Sequence, residues 1–186
     1  TRREGAAERF AQRKEALFPW VDDHTQLLEA DHFLDGDTDF EMGGVHFALR
    51  YVGPAHSSED MAMLVQEDGV LFAGDLVFRG RVPYVGDADT RAWIAALDKL
   101  IAMKPKVLVP GHGGPSRDPR KDLMFVRDYL KYVRQEMGKA ARDFVPFDEA
   151  YEKTDWSKYR SMPAFNESNR VNAYNQYLRL EQEGVQ

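Results

Sequence analysis

The sequence predicts an α/β fold in which helices cover one side of a single sheet. Its 186 residues are 43% hydrophobic and 12% aromatic, which is typical of a folded domain with a sizeable core. Runs with strand character lie mostly between residues 31 and 75, with one more at 106–110, and runs with helical spacing lie between and after them. Clustered strands followed by helices favour a sheet with helices packed against one face.

Charge and composition exclude several classes of protein. The net charge of -6 and the pI near 5.4 argue against a nucleic-acid partner, because no basic stripe is present to meet phosphates. We predict no membrane span, because no run approaches the ~20 apolar residues that a membrane helix needs. The chain has no cysteine, so a metal site would have to use histidine, aspartate or glutamate.

The first 18 residues predict an amphipathic helix. Apolar residues recur at Ala6, Phe10, Leu17 and Phe18 among arginines and glutamates, and Pro19 ends the pattern. The chain has neither an initiator methionine nor a signal-peptide pattern at its start. We therefore expect that a further segment precedes this helix; a natural start with its methionine removed is the alternative.

The central segments predict strands. Residues 31–42 indicate short strands around a Gly-Asp turn, and residues 45–52 alternate cleanly, with Val45, Phe47, Leu49 and Tyr51 on one face. The runs MAMLVQ and VLFAGD flank Glu67-Asp68-Gly69, which predicts a hairpin. Met61 and Met63 alternate on the first of these runs and are predicted to pack in the core.

Three later segments predict helices. One begins at Asp89 or Thr90, and a second begins at Asp118-Pro119 and runs to about Gly138. Short helices and loops are expected over 139–166. The last helix is predicted over about 167–183, with Asn166 as a possible cap and these residues facing inward: Val171, Tyr174, Tyr177 and Leu178.

His56, Asp75 and His112 are the candidate metal ligands. Each lies where a strand or apolar run gives way to a loop, which is where rigid scaffolds present functional groups. Glycine precedes Asp75 and flanks His112, and it permits close backbone approaches. Two imidazoles and a carboxylate suit zinc, and also iron or manganese. The alternative is that each histidine makes one loop hydrogen bond and Asp75 caps a turn.

The segments around these residues resemble the metallo-β-lactamase superfamily. GPAHSSEDMAMLV, LFAGDLVF and VLVPGHGGP occur in the family's order, and the match covers roughly residues 30–125. The resemblance implies an αββα sandwich and two zinc ions, with His56 in the first metal site, Asp75 bridging both metals and His112 in the second site. It also implies that Ser57 and Asp60 bind no metal themselves but orient the ligands or fix the loop that carries His56. Ala55 and Ser57 depart from the commoner Gly and Thr without removing a ligand.

The family's leading motif, H-x-H-x-D-H, does not occur in this sequence. His24 and His32 have no partner histidine two residues away. We expect the motif, and the N-terminal strands of the sandwich, to belong to a segment before Thr1. With only the three ligands above, each metal would have one terminal ligand and the bridge, whereas catalytic zinc normally has three protein ligands.

The tail is similar to one branch of the family. Residues 163–183, PAFNESNRVNAYNQYLRLEQE, resemble the C-terminal extension of the sulfur-oxidation-associated and quinoprotein-relay zinc metallohydrolases. This implies a metallo-β-lactamase-like part over 1–140 and a helical extension over 141–186. It also implies a periplasmic location, with the cytoplasm as the alternative. From its residues alone, the segment predicts only an amphipathic helix.

The predicted function is hydrolysis of an ester, thioester, amide or similar bond in a small molecule by water activated at zinc. Arg79, Arg81 and Tyr84 are candidates for holding an anionic substrate, and a solvated loop is the alternative. A mononuclear iron enzyme resembling persulfide dioxygenases would use His56 and Asp75 and leave His112 unligated. The remaining alternative is a non-catalytic fragment that acts by association, including self-association, through an apolar sheet face or edge.

Overall fold

The computed structural model describes residues 10–11, 14, 16–22, 24–26, 28 and 31–184, which fall into two units, 1–35 and 36–186. In the first unit Phe10, Ala11, Lys14 and Ala16 are helical, and a turn follows in which the Trp20 N–H donates to the Leu17 carbonyl at 2.8 Å. Leu17 and Phe18, which belong to the predicted first helix, lie in this turn, and its remaining residues lie outside the described ones. All strands and helices below belong to the second unit.

Over its described residues, 36–184, the second unit contains a five-stranded sheet and four helices. The strands are β1 (Thr38–Met42), β2 (Val45–Gly53), β3 (Asp60–Val65), β4 (Val70–Phe78) and β5 (Val107–His112). They lie side by side in chain order, antiparallel except for the parallel pair β4–β5. The helices are α1 (Thr90–Ala102), α2 (Pro119–Arg142), α3 (Phe147–Lys153) and α4 (Phe165–Gly184). The crossover that a parallel pair requires contains α1.

Local sequence signals place most of these elements correctly. The β3–β4 hairpin is confirmed, and Gly69 takes the left-handed φ of +67° that its turn requires. Asp89 caps α1 by accepting the Ala92 N–H at 3.0 Å. Asp118 caps α2 with proline in its first turn, as predicted, although α2 continues to Arg142. Residues 31–42 were predicted to contain several short strands, and the structure has one there, Thr38–Met42.

The core lies between the sheet and the helices. On the sheet side it contains Val52, Ala62, Leu71, Ala73 and Leu108. The helices complete it with Trp93 and Leu97 from α1 and with Leu123 and Leu130 from α2. Small residues on β2, β3 and β4 let the helices approach the sheet closely. In β2, Ala48 and Val52 face the helices. They lie on the same side of the strand as His46 and Arg50, so the helices cover the more polar side of β2.

The opposite face of the sheet is apolar and substantially exposed. Phe40 and Phe47 stack there with ring centroids 4.9 Å apart, and Tyr51, Met61 and Phe72 are exposed on the same side. The prediction that Met61 packs in the core is therefore wrong, and Met63 is only partly buried. Alternation separates two faces of a strand, but it does not say which of them the helices cover.

The buried face of α4 is polar. Asn169, Asn172 and Gln176 are buried, together with Ala173 and Tyr177. Of the residues predicted to face inward, Val171, Tyr174 and Leu178 are exposed and only Tyr177 is buried. Asn166 lies inside the helix and does not precede it. The prediction failed because it assumed that apolar side chains mark the packed face.

Among the described residues, no helix is long and apolar enough to cross a membrane.

We expect stability to fall at alkaline pH because of buried tyrosines. Burial raises the pKa of Tyr129 far above its usual 10 and that of Tyr159 to about 12. An unfolded tyrosine loses its proton near pH 10, so above that pH the unfolded state binds fewer protons than the folded state. The stability present below pH 10 then declines, by up to about 1.4 kcal/mol per pH unit for each such tyrosine. Denaturant midpoints between pH 9 and 12 measure the decline. Tyr159→Phe should make it shallower, and an unchanged slope would contradict this account.

Candidate metal centre

Asp75 reaches the surface because β4 is irregular at Gly74. Leu71 and Ala73 point into the core, but Gly74 and Asp75 are consecutively exposed, and the register with β5 shifts at this point. Gly74 has a φ of +51°, which is the left-handed region that glycine adopts readily. An irregularity of this kind re-aims a side chain, and here it turns the Asp75 carboxylate out of the sheet.

His112 is brought to Asp75 by a very close approach of β5 to β4. A Cβ added at Gly111 would lie 2.6 Å from the Gly74 carbonyl carbon and 2.7 Å from the Asp75 nitrogen, and it would overlap the Asp75 carboxylate. The next residue, His112, ends β5, and its carbonyl accepts the Arg79 N–H at 2.9 Å. The Gly-Asp and Gly-His pairs therefore belong to one contact between two strand ends.

His56 is held by a short loop between β2 and β3. Asp60 accepts the Ser57 N–H with one carboxylate oxygen and the Ser57 hydroxyl with the other, both at 2.7 Å. The Ala55 N–H donates to the Ser57 carbonyl at 2.9 Å, and Ala55 is fully buried. The structure thus brings Ser57 and Asp60 together beside His56, where their bonds fix the backbone that carries the imidazole.

The two imidazoles approach different oxygens of the same carboxylate. His56 Nε2 lies 3.8 Å from Asp75 Oδ2, and His112 Nε2 lies 3.4 Å from Asp75 Oδ1. The His56 side chain is 19% exposed, whereas those of Asp75 and His112 are each 46% exposed. All three predicted ligands therefore meet at one partly open place, with Asp75 in the middle.

Two buried aromatic rings hold the imidazoles, and sequence reasoning did not identify them. Phe78 stacks on His112, with centroids 4.5 Å apart and planes 14° apart, and its centroid is 5.5 Å from that of His56. Trp93 meets His56 edge-on at 5.1 Å and donates its indole N–H to the Leu76 carbonyl. A signal was present, since Phe78 follows Asp75 by three residues at the end of β4, but an apolar residue there predicts only core packing.

One of the two donor pairs has the separation expected of two ligands on one zinc ion. Two ligand atoms about 2.0–2.2 Å from one zinc ion lie roughly 3.3 Å apart at the tetrahedral angle. The separation between His112 and Asp75 is close to this value, and the separation between His56 and Asp75 is longer. Buried His56 Nδ1 has no hydrogen-bond partner among the described residues. The tautomer and orientation of that ring therefore rest on packing and on whatever Nε2 binds.

Within the part of the chain that the structure describes, no group of three or more histidine, aspartate or glutamate side chains is arranged to hold a metal ion. His56 and His112 each pair with Asp75, so each pair offers two donors. A catalytic zinc ion has three protein ligands as a rule.

The three candidate substrate residues have different surroundings. Arg79 donates from Nε to Asp122 at 3.1 Å and from a terminal nitrogen to the Gly114 carbonyl at 3.3 Å, so it ties the His112 loop to α2. Arg81 and Tyr84 are exposed. Tyr84 folds back over Gly86, where an added Cβ would lie 3.0 Å from its ring.

Comparison with known proteins gives the family. A family profile described as the metallo-beta-lactamase superfamily matches residues 3–112. The chain is 27% identical over 88 residues to a metallo-beta-lactamase type 2 from Bacteroides fragilis. The matched region covers 45% of this chain and 35% of that protein. It is also 25% identical over 138 residues to a linear primary-alkylsulfatase from Pseudomonas sp. (strain ATCC 19151). That matched region covers 69% of this chain and 26% of the alkylsulfatase.

A solved structure agrees at the level of the fold. The sec-alkylsulfatase Pisa1 from Pseudomonas sp. superposes with a TM-score of 0.61 at 15% identity, over 79% of this chain and 26% of that one. The chain thus spans only about a third or a quarter of the length of these relatives. The family profile, however, covers more than half of the chain itself and includes all three candidate ligands. The chain belongs to the metallo-β-lactamase superfamily.

Proposed function

We propose that this chain forms part of a zinc-dependent metallohydrolase in which Asp75 is shared between two metal positions, one with His56 and one with His112. The observation that carries the proposal is that each Asp75 carboxylate oxygen faces a different imidazole nitrogen, at 3.8 Å and 3.4 Å. Further ligands at both positions would have to come from groups other than these three residues.

Zinc bound there would supply a water of lowered pKa as the nucleophile at neutral pH. The chain's own residues shape the site that would hold the zinc. Asp75 brings the negative charge that two neighbouring cations need, and the absence of a side chain at Gly111 leaves room for that carboxylate. Ser57 and Asp60 fix the His56 loop, and Phe78 and Trp93 restrict how the imidazoles rotate. No serine or cysteine nucleophile is required, and the chain has no cysteine.

The substrate is proposed only as a class: a small molecule with an ester, thioester, amide or related bond. The curated relatives are named as a β-lactamase and an alkylsulfatase, so β-lactams and alkyl sulfates belong in the substrate panel beside carboxylic esters and thioesters. The likeness to these proteins is distant, and the panel has to be tested without a preferred member.

The proposal is tested by measuring zinc affinity in wild type and Asp75→Asn. The substitution keeps the shape of the side chain and removes its charge, so we expect zinc affinity to fall at least about 100-fold, at the upper end of what neighbours of metal ligands contribute. Competition with a chelator measures the affinity, and hydrolysis of the panel is followed after zinc loading. The matched control is Asp68→Asn, in the exposed β3–β4 turn. Equal zinc affinity in wild type and Asp75→Asn would overturn the proposal.

A further inference from the structure

Arg79, the first residue after β4, lies along the backbone of the loop that carries His112. Its N–H donates to the His112 carbonyl at 2.9 Å. A Cβ added at Gly113, whose φ is +91°, would lie 2.7 Å from the Arg79 carbonyl oxygen. The Arg79 guanidinium donates from Nη1 to the Gly114 carbonyl at 3.3 Å. One residue therefore contacts three consecutive residues of the loop, and the first of them is a candidate zinc ligand.

Asp122 holds the guanidinium that makes the last of these contacts. It lies in the first turn of α2 and accepts the Nε–H of Arg79 at 3.1 Å. A guanidinium is a rigid planar fork, so a bond that fixes Nε also fixes where Nη1 points. The bond from Arg79 to Gly114 thus depends on Asp122. Partly exposed ion pairs contribute little to overall stability, so the main effect of this pair is on the loop that it orients.

The His112 loop needs contacts from outside to hold one conformation. Leu108 and Ser116 close its base by exchanging backbone hydrogen bonds at 2.9 Å and 2.8 Å, and the Ser116 hydroxyl accepts the N–H of Asp118 at the start of α2. Between them, residues 109–115 include three glycines, the residue type with the widest conformational freedom: Gly111, Gly113 and Gly114. Arg79 supplies outside contacts to the half of this segment that begins at His112.

We infer that Asp122 is a positioning residue for the zinc position that contains His112. By holding the Arg79 guanidinium, it fixes the backbone of residues 112–114 and with it the imidazole whose Nε2 lies 3.4 Å from Asp75 Oδ1. This role rests on the proposed function. It makes Arg79 a support of the metal centre in place of a contact for an anionic substrate.

Zinc affinity is compared first in Asp122→Ala and Asp128→Ala. Asp128 lies further along the same helix, and its carboxylate pairs with Arg127 at 3.0 Å instead. In Asp122→Ala we expect chelator competition to show a loss of about 5-fold or more. This is less than the 10- to 100-fold typical of a group that bonds a ligand directly, because Asp122 acts through one further residue. Asp128→Ala should stay within about 2-fold of wild type.

Arg79→Lys separates the two roles considered for Arg79. A lysine keeps the positive charge, but its single ammonium group cannot bind Asp122 and the Gly114 carbonyl in the same fork geometry. As a support of the metal centre, Arg79 should give the same loss of zinc affinity in this variant as Asp122→Ala does. Unchanged zinc affinity with a higher KM for an anionic substrate would instead show that Arg79 binds substrate, and would overturn the inference.

The metal-free protein provides a measurement that needs neither zinc nor substrate. Because Phe78 stacks on His112 with centroids 4.5 Å apart, the protons of that imidazole should resonate upfield in the NMR spectrum. In Asp122→Ala we expect these signals to move toward unstacked positions, those of His56 to stay in place, and exchange of the Arg79 amide to be about 5-fold faster or more. A loss of zinc affinity with all of these signals unchanged would be an effect of charge alone, and would overturn the inference.

A double-mutant cycle shows whether Asp122 acts through His112. In a His112→Ala background, adding Asp122→Ala should lower zinc affinity by less than about 2-fold, whereas in a His56→Ala background the full loss should persist. Equal losses in both backgrounds would mean general destabilisation and would overturn the inference, as would faster exchange with unchanged zinc affinity. Should Asp122→Ala fail to fold, Arg79→Lys takes its place in the same measurements.

The two proposals fail in different ways. If Asp75→Asn binds zinc as tightly as wild type, the proposed function fails, and the expected effect of Asp122 on zinc affinity fails with it. The His112 ring signals and the exchange of the Arg79 amide still decide whether the pair orients the loop. If Asp75→Asn loses zinc affinity as expected and Asp122→Ala matches wild type in affinity, ring signals and exchange, only the further inference is lost.

Discussion

Replacing Gly111 with alanine is expected to destabilise the protein and to eliminate the zinc binding proposed above. The added methyl group would lie 2.6 Å from the Gly74 carbonyl carbon and 2.7 Å from the Asp75 nitrogen, and it would overlap the Asp75 carboxylate. Backbone atoms cannot rotate away as a flexible side chain can. Overpacking commonly costs 1–3 kcal/mol, and we expect about 3 kcal/mol or more here because two strands must separate. That separation would carry His112 away from Asp75.

The matched control is Gly114→Ala in the same loop. A Cβ there would meet only the Arg79 guanidinium, at 3.9 Å, which is ordinary contact. Urea denaturation should show a large loss of stability for Gly111→Ala and a change within about 0.5 kcal/mol for Gly114→Ala. Zinc affinity, measured by chelator competition, should fall only in the first variant. Equal stability and affinity in both variants would show that β5 does not approach β4 as closely as the structure indicates.

The predictions that succeeded depend on chemistry local in sequence. The hairpin turn at Gly69 and the caps at Asp89 and Asp118 are each specified within a few residues, and all three are confirmed. The meeting of His56, Asp75 and His112 was expected from their positions at strand ends. The structure adds its cause, which is the turn of β4 at Gly74 and the close approach of β5 at Gly111.

The predictions that failed concern which face of an element is covered. In β3, Met61 was predicted to pack in the core but lies on the face that the helices leave uncovered, and the small residue Ala62 faces the core. In α4 the packed face carries amides, because what it contacts is loop backbone with unpaired N–H and carbonyl groups. Hydrophobic periodicity carries no information about such a partner, since the partner is 80–90 residues away in sequence.

The contacts of the aromatic rings around the candidate metal centre could not be predicted from the sequence. Phe78 and Trp93 are ordinary core residues by pattern, and both are in fact buried. Their relation to the histidines follows from where three separate segments meet: the end of β4, the middle of α1 and the β2–β3 loop. Sequence alone predicts burial of these rings and does not predict what they touch.

Phe78→Ala should therefore affect both stability and metal binding. Removing a buried phenylalanine typically costs about 3–5 kcal/mol, and Phe78 is almost fully buried. The His112 ring, stacked on it at 4.5 Å, would lose the surface that fixes its plane, and His56 would lose one of its two aromatic neighbours. We expect zinc affinity to fall about 10- to 100-fold, the range found when groups that orient metal ligands are removed.

Two further variants separate positioning from packing. Phe72→Ala removes an exposed ring from the opposite face of the same strand and should cost about 1 kcal/mol or less without changing zinc affinity. Phe78→Leu keeps most of the buried volume, so stability should recover to within about 1.5 kcal/mol of wild type. It lacks a flat ring for His112 to stack on, so zinc affinity should remain low. If Phe78→Leu restored stability and zinc affinity together, Phe78 would act only by filling the core, and the orientation of His112 would have to come from the backbone of β5.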